Sequence, residues 1–413
     1  MNKRHIQTQI LHLDRKNGAE HGANHKPIHK STQWAFDCAQ DIVDTFQNRR
    51  SGYTYARGGS PTTAALDAQL NALEGGLGTV TFATGMAAIA TALLALLKAG
   101  DHLVASQYLF GNTTSLFNTL GEYGISISYA DPTDAAAIKA AILPNTRMVF
   151  VETLANPRTQ IADLSGIGAV CAQHGLVYVV DNTMATPALV QAKNHGASIV
   201  VNSLSKSLSG HGAVLGGSLT DTGLFDWSTY PNIYQGYQIG DPKNWGLLQL
   251  RKKGLRDVGG TMSSDTAQQI SLGLETFFLR IERASQNAHQ LALWLSQHPS
   301  VAHVDYPGLP NHPQHERAVT MFNGQGFGTL LSFTLKSDAK SAFAVLDDLQ
   351  LIMMSTGLGD NRTMTLPVAQ TIYAEMSAEQ RNAWGIEDGL IRVAVGIEQI
   401  DDLIADWAQA LKV

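Results

Sequence analysis

The stretch 200-VVNSLSKSLSGHGAVLGG-217 decides how this chain is read. Ile199, Val200 and Val201 are β-branched and apolar, the composition of a buried strand. The strand pattern stops at Asn202, and Ser203-Leu204-Ser205-Lys206 follows at once, before a loop rich in glycine and serine. A lysine at the mouth of a buried strand, flanked by hydroxyls, can be desolvated enough to supply a neutral amine, as Schiff-base chemistry requires. Taken alone, S-x-S-K reads more readily as a solvated turn. The choice depends on what else converges on Lys206.

Upstream, helical and strand patterns alternate. Thr62 and Thr63 are candidate caps for a helix Ala64 to Leu73, ending at Gly75-Gly76. A short strand, Val80 to Ala83, leads through Thr84-Gly85-Met86 into an Ala/Leu helix closing at Gly100. HLVAS, ISISYA, MVFVET, LVYVVDNT and SIVVNS then read as strands, separated by helical segments. Repeated βα units predict a mostly parallel sheet covered on both faces, with ligands bound beyond the carboxyl ends of the strands. Gly85, Glu152, Asp181 and Ser203 to Lys206 all follow predicted strands, so they should meet.

The flanks read differently. Residues 1–61 are polar and irregular, a candidate arm lying on another subunit. His21, His25 and His29 have metal-ligand spacing, but Pro27 interrupts any helix between them, so no metal site is assigned. A domain carrying the sheet is expected over 62–259, including a long loop from Gly223 to Trp245. A smaller α+β domain is expected over 260–413, with a long helix near Asp265 to His298, the strands LLSFTLK and LIRVAVG, and helices up to Val413.

Composition sets outer limits. The 413 residues carry 15% charged and 44% hydrophobic side chains, a globular balance. A net charge of -6 gives no general attraction to nucleic acid or an anionic membrane. The longest apolar run, Met86 to Leu97, is too short to span a bilayer, and the first residues lack a signal-like apolar core. Cys38 and Cys171 imply neither a disulfide framework nor a metal site, which fits a cytoplasmic protein.

Four further features bear on chemistry. Asp181, at a buried strand end, is costly unless it meets a cation, and a protonated pyridine nitrogen is one such partner. The alternative is a turn or cap. Thr84-Gly85-Met86 opens a helix whose free N–H groups suit a phosphate, to which Ser203 and Ser205 could add hydroxyls. Arg57, in Tyr53-Thr-Tyr55-Ala-Arg57-Gly-Gly-Ser-Pro61-Thr62, can grip phosphate as a fork or form a surface ion pair. Arg392, in an apolar strand, needs an anion, either a substrate carboxylate or a buried acid.

Y-x-R-x-G-x-P-T, T-G-M, E-T-x-x-N-P, V-D-N-T, S-x-S-K and L-I-R-V-x-V-G-I-E occur here in that order. Together they closely resemble the Cys/Met metabolism family of pyridoxal phosphate enzymes, from about residue 20 to the C-terminus. That family includes cystathionine γ-synthases, O-acylhomoserine sulfhydrylases, cystathionine lyases and methionine γ-lyases. The resemblance implies an aspartate-aminotransferase-like (fold type I) α/β architecture and a tetramer of two active dimers. It implies that Lys206 is the Schiff-base lysine and Asp181 the partner of the pyridine nitrogen. Gly85, Met86, Ser203 and Ser205 match phosphate ligands, and Tyr55 and Arg57 a pair reaching a neighbouring subunit's phosphate. Asn156 matches a residue near the ring hydroxyl, Thr183 one beneath the ring, and Arg392 the binder of the substrate α-carboxylate.

Three departures lie on the substrate side. Phe110 stands where the family usually has tyrosine; it can stack on the cofactor but has no hydroxyl for proton transfer. Leu366-Pro-Val-Ala-Gln-Thr-Ile372 replaces the family's H-P-A-S-x-T-H, and Gly357 stands where serine or asparagine is usual. Gly254 to Asp257 and the ending Gly385 to Leu411 are more similar to the homocysteine-synthase branch. The resemblance therefore implies γ-replacement on an O-acylhomoserine, ahead of γ-elimination. Gly210-His-Gly212-Ala-Val-Leu-Gly216 is close to a dinucleotide-binding glycine loop, but it follows a serine turn and no acidic residue ends a strand about twenty positions on.

Overall fold

The computed structural model describes residues 4–411 except 17, 48, 323, 337 and 338. The predicted helical ending at Val413 therefore lies partly outside the described residues. Two short helices, α1 (Ile6–Leu13) and α2 (Ala39–Phe46), interrupt the irregular N-terminal arm. The helix after it, α3 (Pro61–Glu74), starts earlier than the sequence pattern suggested. Ser60, rather than Thr62 or Thr63, is its cap: the Ser60 hydroxyl accepts from Thr63 N–H, and Thr63 Oγ1 accepts from Ser60 N–H at 2.8 Å. Pro61 fits the first helical position because it lacks an N–H there.

The larger sheet has seven strands: β1 (Gly78–Phe82), β2 (His102–Ser106), β3 (Ser126–Ala130), β4 (Thr146–Glu152), β5 (Val177–Asp181), β6 (Ile199–Ser203) and β7 (Gly217–Asp221). They lie in the order β1-β7-β6-β5-β4-β2-β3. The run β3-β2-β4-β5-β6 is parallel, as the βα alternation predicts. β7 pairs antiparallel with both β6 and β1. Successive residues alternate between two buried layers. Met148 and Phe150 join the Ala/Leu helix α4 (Gly85–Leu96) on one face, while Val149, Val151 and Tyr178 pack on Ile167 and Cys171 on the other. α4 ends at Leu96, one turn short of Gly100.

Residues 223–245 form a long loop, as expected, that carries three short 3₁₀ turns. Trp227 and Tyr230 anchor them in the core, the Trp227 indole donating to Asp221 at 2.9 Å. The helical pattern of 265–298 is two helices, Ser264–Glu275 and Phe277–Gln297, separated at Thr276. The second packs on a five-stranded sheet ordered β10-β11-β12-β9-β8, formed by β8 (Val301–Asp305), β9 (Leu330–Leu335), β10 (Met353–Met354), β11 (Met364–Pro367) and β12 (Leu390–Ala394). β12 lies between β9 and β11, so Arg392 stands in a central strand.

Candidate active site

The carboxyl ends of β4, β5 and β6 open into a cavity of about 390 Å³, whose lining includes Lys206, Asp181, Glu152 and Arg392. Register explains the convergence. Glu152 pairs with Asp181, so the last residues of β4 and β5 lie side by side, and Asp181 pairs in turn with Val201, two residues before the end of β6. Lys206 stands in the turn that follows, with its N–H bonded to Ser203 O at 3.3 Å. Burial, with a smaller contribution from the Arg392 charge, lowers the Lys206 pKa.

Asp181 accepts from the Thr183 N–H at 2.9 Å, and Thr183 Oγ1 accepts from the Ser203 N–H at 2.8 Å. Burial raises both carboxyls of the Glu152–Asp181 pair, and Glu152 is pushed up to about 8 by burial and then by Asp181. Hydrogen bonds from Thr183 partly offset the rise at Asp181, an offset that Glu152 receives only from the Phe110 N–H. Glu152 Oε1 also accepts the Phe110 N–H at 2.6 Å, fixing the backbone of the aromatic residue in the cavity wall.

The N-terminus of α4 also lines the cavity, beside the end of β6. The Thr84 hydroxyl caps Ala87 N–H at 2.9 Å, leaving the Gly85 and Met86 amides at the open helix end. Gly85 is required by close approach: a Cβ there would lie 2.9 Å from Ser203 Cβ. Ser203 and Ser205 also line this end. Ser205 Oγ accepts from Gly216 N–H at 3.0 Å, which ties the lysine turn to β7. Asn156 lines the cavity too; its Oδ1 is buried without a partner among the described residues.

Arg392 is 1% exposed. Its Nη2 donates to the carbonyls of Thr356 at 3.2 Å and Gly357 at 3.1 Å, while Nε has no partner among the described residues. Among the described residues Arg392 forms no ion pair with an acid. Burial lowers its pKa to about 10, still a cation at neutral pH. Phe110 and Ile372, two of the departures from the family pattern, form part of the same wall.

Tyr55 and Arg57 are placed elsewhere. Tyr55 is 48% exposed, and Arg57 donates to the Arg256 carbonyl at 2.6 Å, away from the cavity of their own chain. His25 and His29 face different carboxylates, Asp14 and Glu275 against Glu20. The described residues contain no metal-ligand cluster. The Gly210–Gly216 loop leads into antiparallel β7, not into a helix, so it lacks the strand–loop–helix context of a dinucleotide site. Gly210 serves another purpose: at φ +72° it makes room for Arg280, which donates to the carbonyls of Ser207, Leu208 and Gly273. Arg280 thus clamps the turn carrying Lys206, a role that an arginine within a long helical pattern did not advertise.

The residues fit pyridoxal phosphate. A desolvated lysine, a buried carboxylate across the cavity, an open helix end with glycine at the closest approach and an orphaned amide oxygen match the cofactor's aldehyde, ring nitrogen, phosphate and ring hydroxyl. The comparisons agree. Residues 7–412 match the family model described as Cys/Met metabolism PLP-dependent enzyme. The chain is 35% identical to the homocysteine synthase of Schizosaccharomyces pombe, over 99% of this chain and 98% of that one. It is 35% identical to the L-methionine gamma-lyase of Fusobacterium nucleatum, covering 94% and 93% of the two chains. A solved structure assigned as an O-acetylhomoserine (thiol)-lyase of Campylobacter jejuni, which carries N′-pyridoxyl-lysine-5′-monophosphate, superposes with a TM-score of 0.94 at 31% identity, over 99% of this chain and all of that one. The chain therefore belongs to the Cys/Met metabolism family of pyridoxal phosphate-dependent enzymes, with the fold type I architecture.

Proposed function

We propose that this enzyme catalyses γ-replacement on an activated homoserine ester, O-acetyl- or O-succinylhomoserine, with a thiol or sulfide, giving cystathionine or homocysteine. The observation carrying this reading is the buried Arg392 guanidinium, without an acidic partner among the described residues, in the cavity that also holds Lys206 and Asp181. A guanidinium fork in that setting suits an amino-acid carboxylate. The relatives named homocysteine synthase and O-acetyl-L-homoserine sulfhydrylase support the same chemistry.

When bound, pyridoxal phosphate supplies an electron sink for charge developing at the substrate Cα. Lys206 would hold it covalently, Asp181 its ring nitrogen, Asn156 its ring hydroxyl, and Thr183 the face beneath the ring. Gly85, Met86, Ser203 and Ser205 would hold the phosphate, completed by Tyr55 and Arg57 of a neighbouring copy. Arg392 would then fix the substrate carboxylate, and the Lys206 amine, set free when the substrate's own amine takes its place and easier to deprotonate because burial lowers its pKa, would take the Cα proton. A proton next leaves Cβ, the γ-substituent departs, and sulfur takes its place. Phe110 has no proton to offer the leaving group, so Lys206 or a neighbouring Tyr55 handles protons on that side. An ester carboxylate leaves without needing one, which favours an acylated homoserine over a thioether.

The alternative is γ-elimination from homocysteine, methionine or another γ-substituted amino acid, and similarity to a methionine gamma-lyase favours it. Assaying 2-oxobutanoate from O-acetylhomoserine and from methionine, with and without sulfide, separates the two. We expect sulfide-dependent homocysteine as the main product. Dominant 2-oxobutanoate formation independent of thiol would overturn the reading.

The same reading includes a tetramer of two active dimers, a cytoplasmic location, and division into an arm (1–61), a cofactor domain (62–259) and a C-terminal domain (260–413). Exposed Phe46 on α2 and Tyr55 outside its own cavity support an arm completed by a second copy. Free Cys38 and Cys171 suit a reducing compartment. No helix among the described residues is long and apolar enough to cross a membrane.

A further inference from the structure

Behind the cofactor residues lies a buried acid that the chemistry above does not use. Glu74 is the last residue of α3 and only 1% exposed. Its Oε1 accepts from the side-chain amides of Asn202 at 2.7 Å and Asn182 at 3.3 Å. Asn182 directly follows Asp181, and Asn202 directly precedes Ser203. Two atoms of this cluster are orphaned: Glu74 Oε2 and Asn202 Oδ1. Both are acceptors, and they belong to side chains already joined by one hydrogen bond. A single proton on Oε2 satisfies both, giving the paired donor–acceptor face of a carboxylic acid against an amide.

The surroundings favour that proton. Glu74 forms no ion pair among the described residues. Lys193, the cation packed at this helix end, donates instead to Gly75 O at 2.7 Å, and Gln191 donates to Leu73 O at 3.0 Å. A negative charge at the carboxyl end of a helix also opposes the helix dipole. The rest of the cluster is closed: Asn182 donates to Val190 O at 2.9 Å and accepts from Thr153 Oγ1 at 2.9 Å.

We infer that Glu74 is held as a neutral carboxylic acid that donates to Asn202 Oδ1, and that it is a positioning residue, locking together the ends of β5 and β6 on which Asp181 and Lys206 are mounted. The role goes beyond the proposed substrate and holds whichever γ-substituted amino acid is used. Burial, which pushes the Glu74 pKa up to about 7, agrees with it.

Glu74→Gln tests the inference, because an amide reproduces both the donor and the acceptor. The purified E74Q holoenzyme should keep kcat/KM and cofactor affinity within about threefold of wild type. Glu74→Leu, which leaves both asparagines unsatisfied, should weaken cofactor binding at least about tenfold and shift the pH midpoint of the cofactor's visible band. The infrared spectrum of the wild-type holoenzyme in heavy water, at about pH 6, should carry a neutral carboxylic C=O band that E74Q lacks. A tenfold or greater loss in E74Q, or identical carbonyl bands in the two proteins, would overturn the protonation. An E74L protein that unfolds more easily but keeps cofactor affinity and midpoint unchanged would overturn the positioning role. If E74L does not fold, the infrared comparison and E74Q kinetics still decide the protonation, and Asn202→Leu replaces E74L in the affinity and midpoint measurements.

Discussion

Replacing Arg392 by leucine separates an anion-binding guanidinium from a structural one. Among the described residues the Arg392 side chain has two hydrogen bonds, both to backbone carbonyls at 3.1–3.2 Å, and an Nε without a partner. Removing one partner of a buried, hydrogen-bonded charge pair costs about 2–5 kcal/mol of binding. At about 1.4 kcal/mol per decade, the middle of that range is a loss of roughly 300-fold in kcat/KM. The contact forms with the substrate carboxylate before chemistry and persists through it, so most of the loss should fall on KM. Stability should behave in the opposite way. The free enzyme carries an uncompensated buried cation, and exchanging it for a hydrocarbon is neutral or stabilising, so Tm should hold within about 3 °C or rise. A second readout is independent of substrate: the Arg392 charge lowers the Lys206 pKa, so R392L should move the pH midpoint of the cofactor's visible band upward. Steady-state kinetics, calorimetry and a spectral titration cover the three. A kcat/KM within fivefold of wild type would refute the assignment, as would a loss of activity that merely tracks unfolding.

Other outcomes follow from neighbouring features. Phe110→Tyr restores a hydroxyl to the cavity wall and should raise 2-oxobutanoate release from methionine at least about tenfold, measured with a coupled dehydrogenase. Ser60→Ala removes the capping box of α3 and its 2.9 Å contact with Ser264; urea denaturation should show a loss of ~1 kcal/mol. Glu74 binds a proton in the folded chain up to about pH 7 but in the unfolded chain only to about 4.5. Folding therefore takes up a proton between those values, and stability should fall as pH rises through that window, by up to ~3 kcal/mol, then level off. E74Q should lack this part of the slope in urea titrations run across the same pH range.

Much of this site was legible in the chain because parallel βα units place strand ends together. Asp181 and Lys206 could be located from apolar runs that stop at polar residues, without knowing the strand order. What lacked a local signature was harder to see. β7 reads as a glycine-rich loop end, and only its two antiparallel neighbours make it a strand. Trp227 and Tyr230 bury a segment whose Tyr, Asn, Gly and Pro content spelled a loop. Glu74 looks like an ordinary helix-ending glutamate, and Arg280 like one charge in an amphipathic helix. Their roles come from partners about 70 to 130 positions away, Ser207 for one and Asn182 and Asn202 for the other. Tyr55 and Arg57 show the opposite case: motif similarity gives them a use that one copy of the chain leaves open.

The central claim, that Lys206 carries the cofactor opposite Asp181, is tested most directly by borohydride reduction of the yellow holoenzyme followed by peptide mass mapping. The account predicts bleaching and a single phosphopyridoxyl group on the peptide containing Lys206. A group on any other lysine, or an active protein whose Lys206 emerges unmodified, would contradict it.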